Sequence, residues 1–190
     1  MTVRLHLICH ASTSAARAAA FPADEPLDAQ SLKKIAAASY RPASGARCWS
    51  SPALRAVQTA EALRLDATVE PALRECDYGC WTGRSLDDLQ AEEPEAVAAW
   101  LKDPASAPHG GETLVALIRR VSGWLDRVAS ADGTVVAVTH ASIIRAAIVC
   151  AIEAEPRSFW RIDVSPLFLT RLNGHSGRWT LASMNADLTD

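Results

Sequence analysis

The stretch "VRLHLICHAST", residues 3–13, alternates apolar and polar side chains, becomes continuously apolar, and ends on a cysteine, a histidine and a cluster of small residues. Alternation with a period of two is typical of a β-strand, and a continuous apolar run is typical of a strand that enters a core. In open α/β sheets, ligands bind beyond the carboxyl ends of the strands. The stretch therefore predicts a buried first strand that delivers His10 to a crevice at the sheet edge.

Further β-rich runs lie along the chain. The runs "ARCWSS" at 46–51 and "TVVAVTH" at 134–140 are predicted as single strands, and 166–185 is predicted as two strands joined by a turn at 173–177. Helical patterns lie between these runs. One of them opens with Ser51 followed by a proline, which is a typical cap and first-turn pair.

The segment 111–129 carries an apolar stripe at helical spacing, which predicts an amphipathic helix packed on the core. The stripe consists of Leu114, Leu117, Ile118, Val121, Leu125 and Val128. Arg119, Arg120 and Asp126 are expected in solvent. Alternating strands and helices predict an α/β fold, namely a three-layer αβα sandwich with a mostly parallel central sheet and helices on both faces. Residues 1–190 are expected to form one such domain.

Composition excludes several classes of protein. The chain has 190 residues, 49% of them hydrophobic and 22% charged, which is enough apolar material for a real core. Its net charge of −3 gives no electrostatic reason to expect a nucleic-acid partner. The five cysteines are odd in number and scattered, and no secretory signal or bilayer-length apolar stretch stands out. We expect free thiols, a cytoplasmic location and no membrane partner.

Four polar side chains stand at predicted strand ends or in loops: His10, Arg55, Glu75 and His140. Each one alone is as typical of a cap or a satisfied polar residue as of a catalyst. Because the ends of neighbouring parallel strands meet at one edge of a sheet, we expect the four to converge. Four such residues together are harder to explain as four separate caps.

The order of motifs resembles the histidine phosphatase superfamily, which is also called phosphoglycerate-mutase-like. The resemblance covers essentially the whole chain. It is carried by "CHAST" (9–13), "SPALRAVQTA" (51–60), "LRECDYGCWTG" (73–83), "GGET" (110–113) and "VVAVTHASIIR" (135–145). It implies a phosphatase that hydrolyses a small phosphate monoester without metal or other cofactor.

The resemblance also implies a role for each of the four residues. His10 would attack phosphorus and carry a transient phosphohistidine. Arg55 would hold phosphate oxygens as a planar fork, and His140 would stabilise the charge that accumulates there. Glu75 would donate a proton to the leaving group and then accept one from water. An acid role requires a carboxyl group protonated above its reference pKa of about 4.3, which predicts an activity optimum on the acidic side of neutral.

Three further residues are expected to contact the substrate: Thr13, Arg17 and Ala141. Arg17 matters because the family's first motif reads Arg-His-Gly, whereas this chain has Cys9 and Ala11 around His10. A hydroxyl residue capping a short helical turn would direct the Arg17 side chain back towards the phosphate. Arg17 would then replace the missing guanidinium; the alternative is that it lies in solvent.

Other interpretations of the site stay open at this point. A zinc site would use His10 and His140, but no pair of ligands has typical zinc spacing beyond the Cys76–Cys80 separation. A cysteine phosphatase would use Cys9, but those enzymes have histidine before cysteine and a shorter gap to the arginine. A catalytically impaired phosphoester-binding protein and a mutase-type phosphotransferase of the same fold are the remaining alternatives.

Overall fold

The computed structural model describes residues 2–188 and contains a six-stranded sheet of order β3-β2-β4-β1-β5-β6. Strands β1 to β4 pair in parallel, and β5 and β6 add to the β1 side in antiparallel fashion. The sheet is therefore mostly parallel, as predicted. The strands are β1 (Thr2–Cys9), β2 (Arg47–Ser50), β3 (Ala67–Val69), β4 (Gly133–Thr139), β5 (Phe168–His175) and β6 (Arg178–Asp187).

Seven α-helices and three 3-10 segments connect the strands among the described residues. The α-helices are α1 (Ser14–Arg17), α2 (Ala29–Ala36), α3 (Leu54–Ala62), α4 (Leu86–Glu92), α5 (Pro94–Lys102), α6 (Leu114–Ala129) and α7 (Ala141–Ala151). The 3-10 segments are Pro71–Leu73, Gly79–Trp81 and Pro156–Arg161. Within residues 2–188, every helix is too short or too polar to cross a bilayer.

The two faces of the sheet bury separate apolar clusters. Leu7 of β1 belongs to a cluster with Leu125 of α6 and Ile144 of α7. Its neighbour Ile8 points to the opposite face and belongs to a cluster with Ile35 of α2. Because successive strand side chains face opposite sides, both faces of β1 need a helical cover. Helices on both faces confirm the three-layer αβα arrangement.

Helix α6 confirms the predicted apolar stripe but corrects the exposure of Arg120. Five of the six predicted stripe residues are buried and the sixth is partly buried, and Trp124 joins them. Arg120 was expected in solvent, yet its side chain is only 12% exposed. It donates to Glu112 over 2.6 Å and to the carbonyl of Ala72 over 2.8 Å. The ion pair and the hydrogen bonds compensate for the free-energy cost of burying this guanidinium.

The final hairpin also differs slightly from the prediction. The turn was expected at 173–177, but β5 continues to His175 and β6 begins at Arg178. Ser176 and Gly177 therefore make the turn, and both have positive φ values, 49° and 79°. A two-residue turn with positive φ at both positions matches the right-handed twist of the paired strands.

A third apolar cluster lies beside the sheet edge where β1, β2 and β4 end. It contains Phe21, Trp81, Leu89 and Val97, with other aromatic rings packed around it. Gly79 allows this region to approach the segment before α6 closely. A Cβ at this position would lie 2.0 Å from the carbonyl oxygen of His109. Only glycine fits such an approach.

Candidate active site

Three strand ends meet at one edge of the sheet and place the first site residues. His10 follows β1, Ser51 follows β2 and His140 follows β4, which lies between them. The backbone NH of His10 donates to the carbonyl of Thr139 over 2.8 Å, and that of Ser51 donates to the carbonyl of Val138 over 2.9 Å. These bonds extend the parallel ladders one residue beyond the strands. The side chains that follow consequently face one crevice.

Arg55 is the centre of the polar cluster. It is the second residue of α3 and only 2% exposed. Its Nε donates to Nε2 of His10 over 3.1 Å. Its Nη2 lies 3.2 Å from Oε2 of Glu75 and 3.2 Å from Nδ1 of His140. One guanidinium therefore joins all the residues that the sequence expected to converge.

The ring of His10 is held as a neutral imidazole whose Nε2 lone pair faces Arg55. Its Nδ1 lies 2.8 Å from the carbonyl oxygen of Ala11. Because a carbonyl only accepts, Nδ1 carries the hydrogen and Nε2 keeps its lone pair. Burial, followed by His140 and Arg55, lowers the pKa of His10 to about 3. The ring is thus uncharged at neutral pH.

His140 is fully buried between a hydroxyl and the carboxylate. Its Nε2 lies 2.7 Å from Oγ of Ser51, and its Nδ1 lies 3.2 Å from Oε2 of Glu75. The two imidazole rings of His10 and His140 are 5.1 Å apart, centroid to centroid. Contacts on both ring nitrogens fix the orientation of the His140 ring beside His10.

Glu75 is an ionised carboxylate. Burial favours its neutral form, but the neighbouring His140, with Arg55 and Ser142, outweighs this and holds the pKa of Glu75 well below its ordinary range. Its Oε1 also accepts from the backbone NH of Cys76 over 3.0 Å and from the hydroxyl of Ser142. The sequence predicted that an acid role would need a raised pKa. In the structure, the pKa of Glu75 is shifted in the opposite direction, because His140, Arg55 and Ser142 together stabilise the ionised form more than burial destabilises it.

Thr13 lines the site, but its hydroxyl is already committed. Its Oγ1 caps α1 by accepting from the NH of Ala16 over 3.2 Å, and it donates its hydrogen to Oε1 of Glu25 over 2.7 Å. The hydroxyl thus offers no spare hydrogen to a phosphate. Sequence reasoning missed Glu25, because it stands in an irregular Pro- and Asp-containing segment whose path no periodicity predicts.

The structure does not bring Arg17 to the site. Its guanidinium forms an ion pair with Asp28, and its side chain is 47% exposed. Asp28 is the N-cap of α2 and accepts from the NH of Ser31 over 2.7 Å, so its carboxylate is fixed where Arg17 can reach it. The prediction that Arg17 turns towards His10 is therefore not met, because the side chain pairs with Asp28 instead. Ala141, the first residue of α7, does line the site.

Two cavities share the walls formed by Arg55 and Glu75. The inner one, about 160 Å³, is lined by His10 and also by Cys9, Thr13, Glu25 and Ala141. The outer one has a volume of about 410 Å³. Its polar lining consists of Asp24, Arg74, Asp77, Tyr78 and Thr82. The inner cavity has the reacting groups of a phosphate site, and the outer one leaves room for the rest of a substrate.

The two departures from the family's first motif fit the structure without strain. The side chain of Cys9 is 2% exposed and packs with the apolar cluster beneath α7. Burial, followed by the charge of Glu75, raises the pKa of its thiol to about 12, which is the wrong direction for a nucleophilic cysteine. Ala11 does not have a positive φ, so its position does not require glycine.

The donor set includes a potential metal triad. One ligand atom each of His10, Glu75 and His140 lies within 4.8 Å of the others. Two imidazoles and a carboxylate suit Zn²⁺. However, the Arg55 guanidinium hydrogen-bonds to both His10 and Glu75, which places a fixed positive charge where a cation would bind. A phosphate oxyanion suits this arrangement better than a metal ion does.

Comparison with known proteins adds an independent finding. A sequence profile described as the histidine phosphatase superfamily (branch 1) matches residues 5–187. The chain is 32% identical over 165 residues to the glucosyl-3-phosphoglycerate phosphatase of Mycolicibacterium vanbaalenii, a match that covers 72% of each protein.

Two more relatives extend the comparison. The chain is 34% identical over 121 residues to a bifunctional protein of Mycobacterium tuberculosis, a match covering 60% of this chain and 33% of that protein. It thus spans about a third of the length of that relative. The solved structure of a mycobacterial glucosyl-3-phosphoglycerate phosphatase in complex with VO3 superposes with a TM-score of 0.84 at 27% identity, covering 97% of this chain and 99% of the other.

Proposed function

Because the chain belongs to the histidine phosphatase superfamily, we propose that it hydrolyses a phosphate monoester through a phosphohistidine on His10. The observation that carries the proposal is the contact between Arg55 and His10. Nδ1 of His10 is tied to a carbonyl, and the lone pair of Nε2 meets the Nε of Arg55 at 3.1 Å in a cavity of phosphate size. A neutral nitrogen and an anion-binding fork at one point are what attack on a phosphoryl group needs.

In the proposed reaction, Nε2 of His10 forms a bond to phosphorus as the bond to the leaving oxygen breaks. Arg55 turns its fork from His10 and Glu75 to the equatorial oxygens, and the backbone NH groups at the start of α7 add weaker donors. His140, oriented by Ser51, stabilises the charge at phosphorus. Because Glu75 is ionised, it first accepts a proton from the protonated phosphate group of the substrate and then passes it to the leaving oxygen as the P–O bond breaks. Water then attacks phosphorus, breaks the N–P bond to His10 and releases inorganic phosphate.

The partner proposed for this site is a small phosphorylated metabolite. The outer cavity of about 410 Å³ accommodates a leaving group of that size, and its lining mixes charges of both signs. Several relatives act as phosphatases on small molecules, as their names state. We propose a cytoplasmic enzyme that needs neither metal, cofactor, membrane nor nucleic acid.

One observation favours a second candidate, a phosphoester-binding protein with impaired turnover. Within the described residues, Arg55 is the one arginine that lines the inner cavity, since position 9 is cysteine and Arg17 pairs with Asp28. A single guanidinium binds a phosphate less strongly than two. Such a protein would keep the fold and lose the chemistry.

Hydrolysis of an aryl phosphate by the purified protein tests the proposal. We expect turnover that Cys9→Ser retains and His10→Ala abolishes, and that EDTA leaves unchanged because Arg55 already supplies the positive charge. Ligand binding without turnover would support the impaired protein instead. Activity lost on chelation and restored by zinc would contradict the metal-free mechanism.

A further inference from the structure

The inner cavity contains more negative than positive charge. Its charged lining residues are Arg55, Glu25 and Glu75, and its histidine, His10, is neutral. Nη2 of Arg55 is already paired with Oε2 of Glu75 at 3.2 Å, and Nη1 lies 4.0 Å from Oδ1 of Asp24. A phosphate dianion entering this cavity would meet one guanidinium and two carboxylates.

Glu25 is fixed in place as an ionised group. Its Oε1 accepts the hydroxyl hydrogen of Thr13 over 2.7 Å, and its Oε2 accepts from the NH of Ala23 over 2.9 Å. Although burial favours its neutral form, these hydrogen bonds and the charge of Arg55 lower the pKa of Glu25 below its ordinary value. Among residues 2–188, no lysine or arginine nitrogen lies within 4.0 Å of its oxygens. Its charge is therefore not neutralised by a partner.

The hydrogen-bonding capacity of the ligand decides which phosphate form fits such a wall. A phosphate dianion has only acceptors and would face the Glu25 carboxylate with lone pairs and like charge. A monoanion has one P–OH group, which can donate to a carboxylate oxygen. It also carries one charge fewer, which the single guanidinium of Arg55 can balance.

We propose that Glu25 selects the monoanionic, singly protonated form of the phosphate monoester and discriminates against the dianion. The inference rests on the proposed function of this site. The groups that would face a phosphate in this cavity are His10 after β1, Arg55 on α3, Glu75 before the Gly79 turn and His140 after β4. None of them, apart from Arg55, offers a fixed positive charge to compensate for Glu25.

The selected form also completes the proton balance of the reaction. Neither Glu75, which is ionised, nor His10, which is neutral, has an acidic proton to give to the leaving group. The proton of the substrate P–OH group passes to Glu75 and from there to the leaving oxygen as the P–O bond breaks and the N–P bond forms. His10 keeps its Nδ1 hydrogen throughout. Attack by water then returns the imidazole and releases the singly charged dihydrogen phosphate.

The test measures binding of two phosphonates that cannot be hydrolysed, benzylphosphonate and its α,α-difluoro analogue, by calorimetry from pH 5 to pH 8. Fluorine lowers the second pKa of the ligand without changing its shape greatly. If the monoanion is selected, the dissociation constant of each ligand rises as the pH rises above the second pKa of that ligand. The pH midpoints of the two binding curves then differ by the difference between the two pKa values. Midpoints that coincide, or tighter binding of the dianion, would overturn the proposal.

A variant that lacks the carboxylate charge tests the role of Glu25. Glu25→Gln is expected to tighten binding of the dianion at pH 8 by roughly tenfold, because a like charge near the phosphate is removed. Glu61→Gln, an exposed carboxamide exchange on α3, is the matched control and is expected to bind as wild type does. An unchanged pH profile in folded Glu25→Gln would also overturn the proposal. The assay involves no turnover, so an inactive protein that still shows this selectivity would refute the proposed hydrolysis and leave the selection by Glu25 standing.

Discussion

The Nε of Arg55 donates to Nε2 of His10 over 3.1 Å, and the same side chain reaches Glu75 and His140 through Nη2. One planar group therefore contacts the ring nitrogen that we propose as the nucleophile, and it lies where we propose that the phosphate oxygens bind. The carboxyl edge of the sheet makes this arrangement possible, because β1 and β4 end side by side and α3 begins shortly after β2, the other neighbour of β4.

Replacing Arg55 should strongly reduce catalytic efficiency. We expect Arg55→Ala to lower kcat/KM by roughly 10² or more, since an oriented charged donor to the transition state is lost. Arg55→Lys should recover little, because a lysine keeps the charge but loses the fork that reaches two partners. Steady-state kinetics of both variants measure this. Kinetics close to wild type in Arg55→Lys would show that charge alone is sufficient.

Arg17, in contrast, should be dispensable for catalysis. Its exposed ion pair with Asp28 keeps it out of the inner cavity, and because water and salt screen exposed charges, such a pair contributes little to stability. We expect kcat/KM of Arg17→Ala to stay within about twofold of wild type, a change well below that of a charged transition-state contact. A loss as large as that of Arg55→Ala would show that Arg17 leaves Asp28 and replaces the arginine missing at position 9.

The buried histidine makes stability depend on pH. The pKa of His10 is lowered from 6.5 to about 3, so the unfolded chain takes up a proton at a pH where the folded protein does not. Its contribution is fully present above pH 6.5 and is lost as the pH falls towards 3. In that window, the free energy of unfolding should fall with a slope of up to about 1.4 kcal/mol per pH unit from this group.

Urea unfolding of wild type and His10→Asn between pH 7 and pH 4 measures that slope. We expect the variant to lose stability less steeply on acidification, and the exposed-residue control His175→Asn to follow wild type. Glu75 adds to the acid sensitivity at lower pH, because its pKa is depressed and its stabilising contribution also disappears on protonation. Parallel profiles for wild type and His10→Asn would contradict the neutral, buried ring.

Much of the fold and of the residue set followed from the sequence because both depend on local patterns. Apolar runs of strand length marked where β1 and β4 end, and the residues directly after a buried strand are placed by the sheet itself. His10 and His140 were predicted in this way. Arg55 followed from the helix start after β2, where its position on α3 directs the side chain inwards.

The predictions that failed concern side chains whose contacts are set by residues distant in the sequence. The direction of Arg17 depends on where Asp28 stands, and that depends on how α2 packs, which no spacing along the chain encodes. The helical stripe placed Arg120 in solvent, but its side chain instead pairs with the carboxylate of Glu112 and donates to the carbonyl of Ala72. Glu25 lies in a segment without periodicity. Only the packed structure brings its carboxylate to Thr13 and the inner cavity.

The most direct test of the mechanism is to trap the covalent intermediate. Rapid quenching of the enzyme with a substrate labelled on phosphorus should yield protein-bound label that is stable in base, labile in acid and located by peptide mapping on His10. The label should be absent in His10→Asn and present in Cys9→Ser. Label on Cys9, or turnover with no label on the protein under conditions that trap phosphohistidine, would contradict nucleophilic catalysis by His10.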